Sequence, residues 1–186
     1  MCIRDSFETR DTVALEEYME MIRLKTSVLL AAALDMGGGS AGADETTREA
    51  LYEFGLHVGL AFQLQDDYLD AFGNPENFGK QVGGDILADK KTFLLIRALE
   101  KAQGADLDAL QAELGQKRDG KVGRVLDLYR HLGVDAELRD AMAGQVAFAE
   151  GALARMKSAR PDSLTGSEAA LALLHGVAEM VTARLN

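Results

Sequence analysis

Apolar residues recur every three or four positions along most of the chain, and no stretch alternates apolar with polar over a strand's length. That periodicity predicts helices throughout. The first runs from Val13 to Met36, with Asp11 or Thr12 as its cap, Glu16 and Glu17 favourable in its first turn, and Gly37, Gly38 and Gly39 ending it. The second runs from about Glu45 to Phe72. Its Gly55 and Gly59 weaken helix propensity and point to close packing against another helix. Later helices are expected near Thr92–Ala102, Asp106–Lys117, Val122–Leu132, Ala136–Ser158 and Ser167–Leu185. No internal repeat or low-complexity linker interrupts this pattern, so the reading is one all-α domain of antiparallel helices.

The second helix ends in an unusual way. Asp66, Asp67 and Asp70 fall within five residues of an otherwise apolar stretch that includes Phe62, Leu64, Leu69 and Phe72. On a helix, Asp66 and Asp70 lie about 40° apart, and Asp67 is within one turn of both, so the three carboxylates are expected on one side. Like charges at this spacing repel, which favours either a fully hydrated acidic face or a bound cation. Oxygen-only ligands suit Mg²⁺ or Ca²⁺ better than Zn²⁺. Mg²⁺ commonly takes one or two carboxylates and completes its shell with water and substrate phosphates. Gln63 lies one turn before Asp66, and a loop rich in glycine, Gly73–Asp85, follows and carries Lys80. Beyond it, Asp85, Lys90, Lys91 and Thr92 precede the next apolar helix. Lysines beside an acidic metal site make sense for a polyanion, because a cation and ammonium groups neutralise different oxygens of one diphosphate.

Composition and charge narrow the field. The 186 residues, 47% hydrophobic, can form one core, and Pro75 and Pro161 are the only prolines, which favours helix. Cys2 is the sole cysteine, which excludes an intrachain disulfide and a cysteine metal centre. The longest strongly apolar run, Val28–Leu34, is too short to span a bilayer, and nothing reads as a signal peptide, so the expectation is a cytoplasmic protein without stable membrane insertion. A net charge of −10 argues against nucleic acid as a partner. His57, His131 and His175 are scattered, no Glu-x-x-His pair occurs, and each histidine reads as a surface or packing residue.

The run Phe62-Gln63-Leu64-Gln65-Asp66-Asp67-Tyr68-Leu69-Asp70, followed by Gly79-Lys80, Gly84-Asp85-Ile86 and Lys90-Lys91-Thr92, resembles the second aspartate-rich region of the trans-polyprenyl diphosphate synthases. Upstream, Tyr18-Met19-Glu20-Met21-Ile22-Arg23-Leu24-Lys25-Thr26 resembles the lysine-threonine helix of the same family. The motifs occur in the family's order and cover residues 7 to 102.

The resemblance implies an isoprenoid-synthase helical bundle and a prenyltransferase that condenses isopentenyl diphosphate with an allylic diphosphate. It implies that Asp66, Asp67 and Asp70 hold Mg²⁺, with Asp66 foremost, and that Lys25, Lys80 and Lys90 serve the diphosphate. Thr26 and Gln63 would offer oxygen dipoles to the allylic cation, and the full-length protein would be a homodimer. One departure stands out: the family's first aspartate-rich region lies upstream of the lysine-threonine helix, and the residues before Lys25 contain no paired aspartate. The chain is therefore read as the C-terminal part of a synthase over 7–186, with 1–6 a possible non-native leader. A non-catalytic helical subunit and a terpene-cyclase-like diphosphate binder are the alternatives.

Overall fold

Glu17 sets where the first helix begins. Its carboxylate accepts the Ala14 N–H at 3.1 Å and the Arg10 guanidinium at 2.7 Å, so Ala14 becomes the cap and helix α1 spans Leu15–Ile22. In the computed structural model, which describes residues 10, 12–74, 82–116, 118–159 and 167–183, the other helices are α2 (Val28–Ser40), α3 (Glu45–Phe72), α4 (Gly84–Leu87), α5 (Phe93–Lys101), α6 (Ala105–Glu113), α7 (Lys121–Leu132), α8 (Val134–Ala159) and α9 (Ser167–Ala183). No strand occurs among the described residues. The protein is all-α.

Between α1 and α2 the chain makes a π-helical turn, Arg23–Ser27, in which the Val28 N–H reaches back to the Arg23 carbonyl. The expected single helix Val13–Met36 is thus interrupted in register by a π-turn, a feature that periodicity over whole turns does not reveal. It also runs further than expected, because glycine weakens a helix without forbidding it. Ser40 donates to the Met36 carbonyl at 2.8 Å, and the stop comes only at Gly42, at φ 77°. The second expected helix matches α3, capped by Asp44, which accepts the Thr47 N–H at 2.9 Å.

The chain divides into two compact units, one formed by Met1–Met21 with Asp66–Asp140 and the other by Ile22–Gln65 with Ala141–Asn186. In the first, α7 packs against α4, α5 and α6. Gly83, at φ 85°, permits this: a Cβ there would meet Val122 Cγ1 at 2.6 Å. Phe93, Leu94, Ile96, Leu110, Val125 and Tyr129 are buried in this unit. Phe54, Val58, Leu64, Met142 and Leu153 are buried in the other. No described helix is long and apolar enough to cross a membrane.

The glycines of α3 bring it against the neighbouring backbone, as their spacing predicts. A Cβ on Gly55 would lie 2.8 Å from Ala31 Cα, and one on Gly59 would lie 2.7 Å from Ser27 Cα. Gly144 in α8, by contrast, faces open space. The same substitution should therefore act in opposite directions. Gly144→Ala is expected to raise stability by roughly 0.5–1 kcal/mol through helix propensity, and Gly59→Ala to lower it by about 1–3 kcal/mol through overpacking. Urea denaturation of both variants measures the difference.

Candidate functional site

The end of α3 presents its three aspartates to three different surroundings. Asp66 is exposed. Asp67 is only 8% exposed, and its Oδ2 accepts the Tyr18 hydroxyl at 2.6 Å and the Phe93 N–H at 3.1 Å. Asp70 is half-buried; its Oδ2 accepts the Asp85 N–H at 2.9 Å, and its main-chain carbonyl accepts the Gly83 N–H at 2.6 Å. The expectation that the three carboxylates project together is not met. Tyr18 and the first amide of α5 draw Asp67 inward, and no three His, Cys, Asp or Glu side chains among the described residues converge to hold a metal ion.

Asp70 and Lys90 are linked through Asp85. The Lys90 ammonium donates to both carboxylate oxygens of Asp85, at 2.9 and 3.0 Å, while the Asp85 N–H is the donor to Asp70. Sequence reasoning placed Asp85 near this region without giving it a role, and gave Tyr18 none. The signal for Asp85 was its spacing of five residues from Lys90 across a helix too short for periodicity to show.

Burial pushes the Asp67 carboxyl up to about 7, against the pull of the Tyr18 hydroxyl and the Phe93 N–H. Burial also raises Asp70, with the Asp85 N–H opposing. For Lys90, burial works to lower the pKa, but the Asp85 carboxylate and its neighbours outweigh it, and the ammonium is held above its usual range. Tyr18 is driven well above the ordinary phenol by burial and by Asp67.

A pH dependence follows with a definite sign. A carboxyl raised on folding contributes most below its unfolded value, near 4, and loses that contribution as pH rises through about 7. Asp67→Asn keeps an acceptor for Tyr18 and Phe93 and removes the titration. Relative to the wild type, the variant is expected to gain on the order of 2–3 kcal/mol between pH 5 and pH 8, the part of the loss that falls between those two values. Chemical denaturation at the two pH values tests this.

In the other unit, the π-helical turn carries Lys25 and Thr26, and Lys25 Nζ donates to Gln63 Oε1 of α3 at 3.2 Å. Lys25 is exposed, whereas Thr26 and Gln63 are half-buried. Lys80 lies outside the described residues.

Residues 3–132 match the family model described as polyprenyl synthetase. This chain belongs to that family. Among curated relatives of this polyprenyl synthetase-family chain, a short chain isoprenyl diphosphate synthase from Methanothermobacter thermautotrophicus is 40% identical over 127 residues, covering 68% of this chain and 39% of the relative. Among solved structures, a decaprenyl diphosphate synthase from Rhodobacter capsulatus is similar with a TM-score of 0.83 and 29% identity, over 99% of this chain and 55% of that one. A geranylgeranyl pyrophosphate synthase from Corynebacterium glutamicum, complexed with isoprenyl diphosphate and magnesium, has a TM-score of 0.83 and 27% identity, over 98% of this chain and 50% of that one. The chain thus spans about half the length of these solved structures and less of its curated relatives. Their fold is shared.

The donor chemistry at the end of α3 fits magnesium. Asp66 is exposed, and Asp70 retains Oδ1 outside the bond from Asp85, which gives the one or two carboxylates that Mg²⁺ commonly takes. Asp67 is engaged with Tyr18 and Phe93.

Proposed function

We propose that this chain serves a prenyltransferase that joins isopentenyl diphosphate to an allylic diphosphate. The observation that carries the reading is the link Asp70–Asp85–Lys90 beside the exposed Asp66, which sets carboxylates and an ammonium within one compact unit. Magnesium bound by Asp66 and Asp70 would supply positive charge to the leaving diphosphate.

The reaction breaks the allylic carbon–oxygen bond, and the electron pair leaves with the diphosphate. The double bond of isopentenyl diphosphate then forms the new carbon–carbon bond, and a proton is lost from the product cation. Lys90 contributes an ammonium already oriented by Asp85, so ordering it for a phosphate oxygen costs little at the moment of binding. Lys25 and Lys80 are assigned to diphosphate oxygens by the same proposal. Thr26 and Gln63 present oxygen dipoles to the allylic cation without supplying a nucleophile. Asp67 holds Tyr18 and the start of α5, and through them the shape of the site. A second copy of the chain is the partner assigned to the full-length protein.

Incubation with radiolabelled isopentenyl diphosphate and dimethylallyl diphosphate, with and without Mg²⁺, tests the reading. Mg²⁺-dependent formation of a longer prenyl diphosphate supports it. Product formed equally well in chelator contradicts it, and diphosphate binding without turnover, by the chain extended upstream with a first aspartate-rich region, would replace the transferase by a non-catalytic subunit.

A further inference from the structure

Among the described residues, Asp89 is the only non-glycine with a left-handed backbone, at φ 49°. An aspartate tolerates this region better than most residues, but still at a cost, so contacts must hold it there. Two do. Oδ1 accepts the Lys121 ammonium at 2.6 Å, and Oδ2 accepts the Gly115 N–H at 2.8 Å. The Lys121 side chain is 1% exposed and begins α7, the helix on which α4, α5 and α6 all pack.

An ammonium is buried this completely only when it is paired. The cavity that Asp89 and Lys121 line with Leu114, Val125 and Tyr129 has a volume of about 10 Å³, at the margin of what a single water needs, so little solvent reaches the ammonium from within, whereas Asp89 is partly open to solvent. The chemistry proposed above uses neither residue. A glycine would meet the backbone requirement at no steric cost; here a strained residue stands instead, with both carboxylate oxygens tied to other elements. Its function therefore lies in the tie.

The tie acts on the turn that carries Lys90. The Asp89 N–H donates to the Ile86 carbonyl at 3.2 Å, the Lys90 N–H to the Asp85 carbonyl at 2.9 Å, and the Thr92 N–H to the Lys90 carbonyl at 2.8 Å. We infer that Asp89 and Lys121 are positioning residues: the ion pair of the buried Lys121 with the half-buried Asp89 fixes the left-handed turn that sets the Lys90 ammonium on Asp85, ready for a diphosphate oxygen. This rests on the diphosphate reading of the site.

Two measurements on the full chain test the inference. Hydrogen exchange first compares the Lys90 and Thr92 amides with those of Ile96 and Ala98, in wild type, Asp89→Gly and Asp89→Asn. Asp89→Gly relieves the backbone and removes the tie; Asp89→Asn keeps the acceptor for Gly115. The turn amides are expected to exchange at least about tenfold faster in Asp89→Gly and to an intermediate degree in Asp89→Asn, with the α5 amides unchanged. Unchanged turn amides overturn the inference.

Calorimetry then measures inorganic diphosphate binding in Mg²⁺ for Asp89→Gly, Lys90→Met and the double variant. Asp89→Gly is expected to weaken binding about tenfold, the scale of one charged hydrogen bond, and to have no further effect once Lys90 is Met. Additive losses overturn the inference, because the tie would then act other than through Lys90. A wild type that binds no diphosphate overturns the proposed function itself, a result distinct from equal binding by wild type and variants.

Discussion

Asp66→Ala, in the chain extended upstream with a first aspartate-rich region, should lower prenyl transfer by about 10²–10³-fold, the usual loss on removing one group that stabilises developing charge. Its stability should hardly change, because the side chain is exposed, alanine favours helix, and repulsion with Asp70 is relieved. Its neighbour should behave in the opposite manner. Asp67→Ala leaves the Tyr18 hydroxyl and the Phe93 N–H without their acceptor, and such orphaned buried groups cost about 1–3 kcal/mol each. Turnover and thermal melting of the two variants, measured side by side, separate the roles. Equal loss of activity at unchanged stability for both would contradict the division drawn here.

Lys121→Met should destabilise the fold on a similar scale by a different route. The substitution preserves volume but strands the Asp89 carboxylate beside an apolar side chain, and breaking a buried pair costs about 3–5 kcal/mol. Asp89 retains 28% exposure, so the lower end of that range applies. For a chain of this size the melting temperature should fall by roughly 6–12 °C. Adding Asp89→Asn to Lys121→Met removes the stranded charge and should recover more than half of the loss. No recovery in the double variant would show that Lys121 acts through packing of its stem alone.

Long elements were legible in the sequence because repeated spacing averages out local exceptions. The helix from Glu45 to Phe72, its paired glycines and the later helices α5, α7, α8 and α9 agree with the expected spans to within two residues. Shorter or irregular features had no such averaging. The π-turn at Arg23–Ser27 adds one residue, so the buried positions run Tyr18, Ile22, Ser27 and Ala31, and the serine that marks the shift carries no apolar signal. The run Gly37–Gly39 looks like a helix end, but the closing contacts are those of Ser40 and Gly42. The helix α4 spans four residues, too few for any period.

Within the site, residue types were legible and directions were not. The motif Asp66-Asp67-x-x-Asp70 marks an acidic helix end, but a residue's spacing does not say which neighbours bond to it. Tyr18 is distant in sequence, and its hydroxyl decides that Asp67 turns inward. Lys25 and Gln63 are also distant in sequence, and only the folded chain shows their hydrogen bond. The Asp89–Lys121 pair could not be found by motif, because its partners belong to a turn and a helix start that only the folded chain brings together.

Titration of the chain with inorganic diphosphate, in the presence and absence of Mg²⁺, tests the central claim most directly. Asp66, Asp70 and Asp85 repel an anion until a cation neutralises them, so binding should be at least about tenfold tighter with Mg²⁺. Equal affinity in the two conditions, or no binding in either, would contradict the assignment of this acidic helix end to a metal-bound diphosphate.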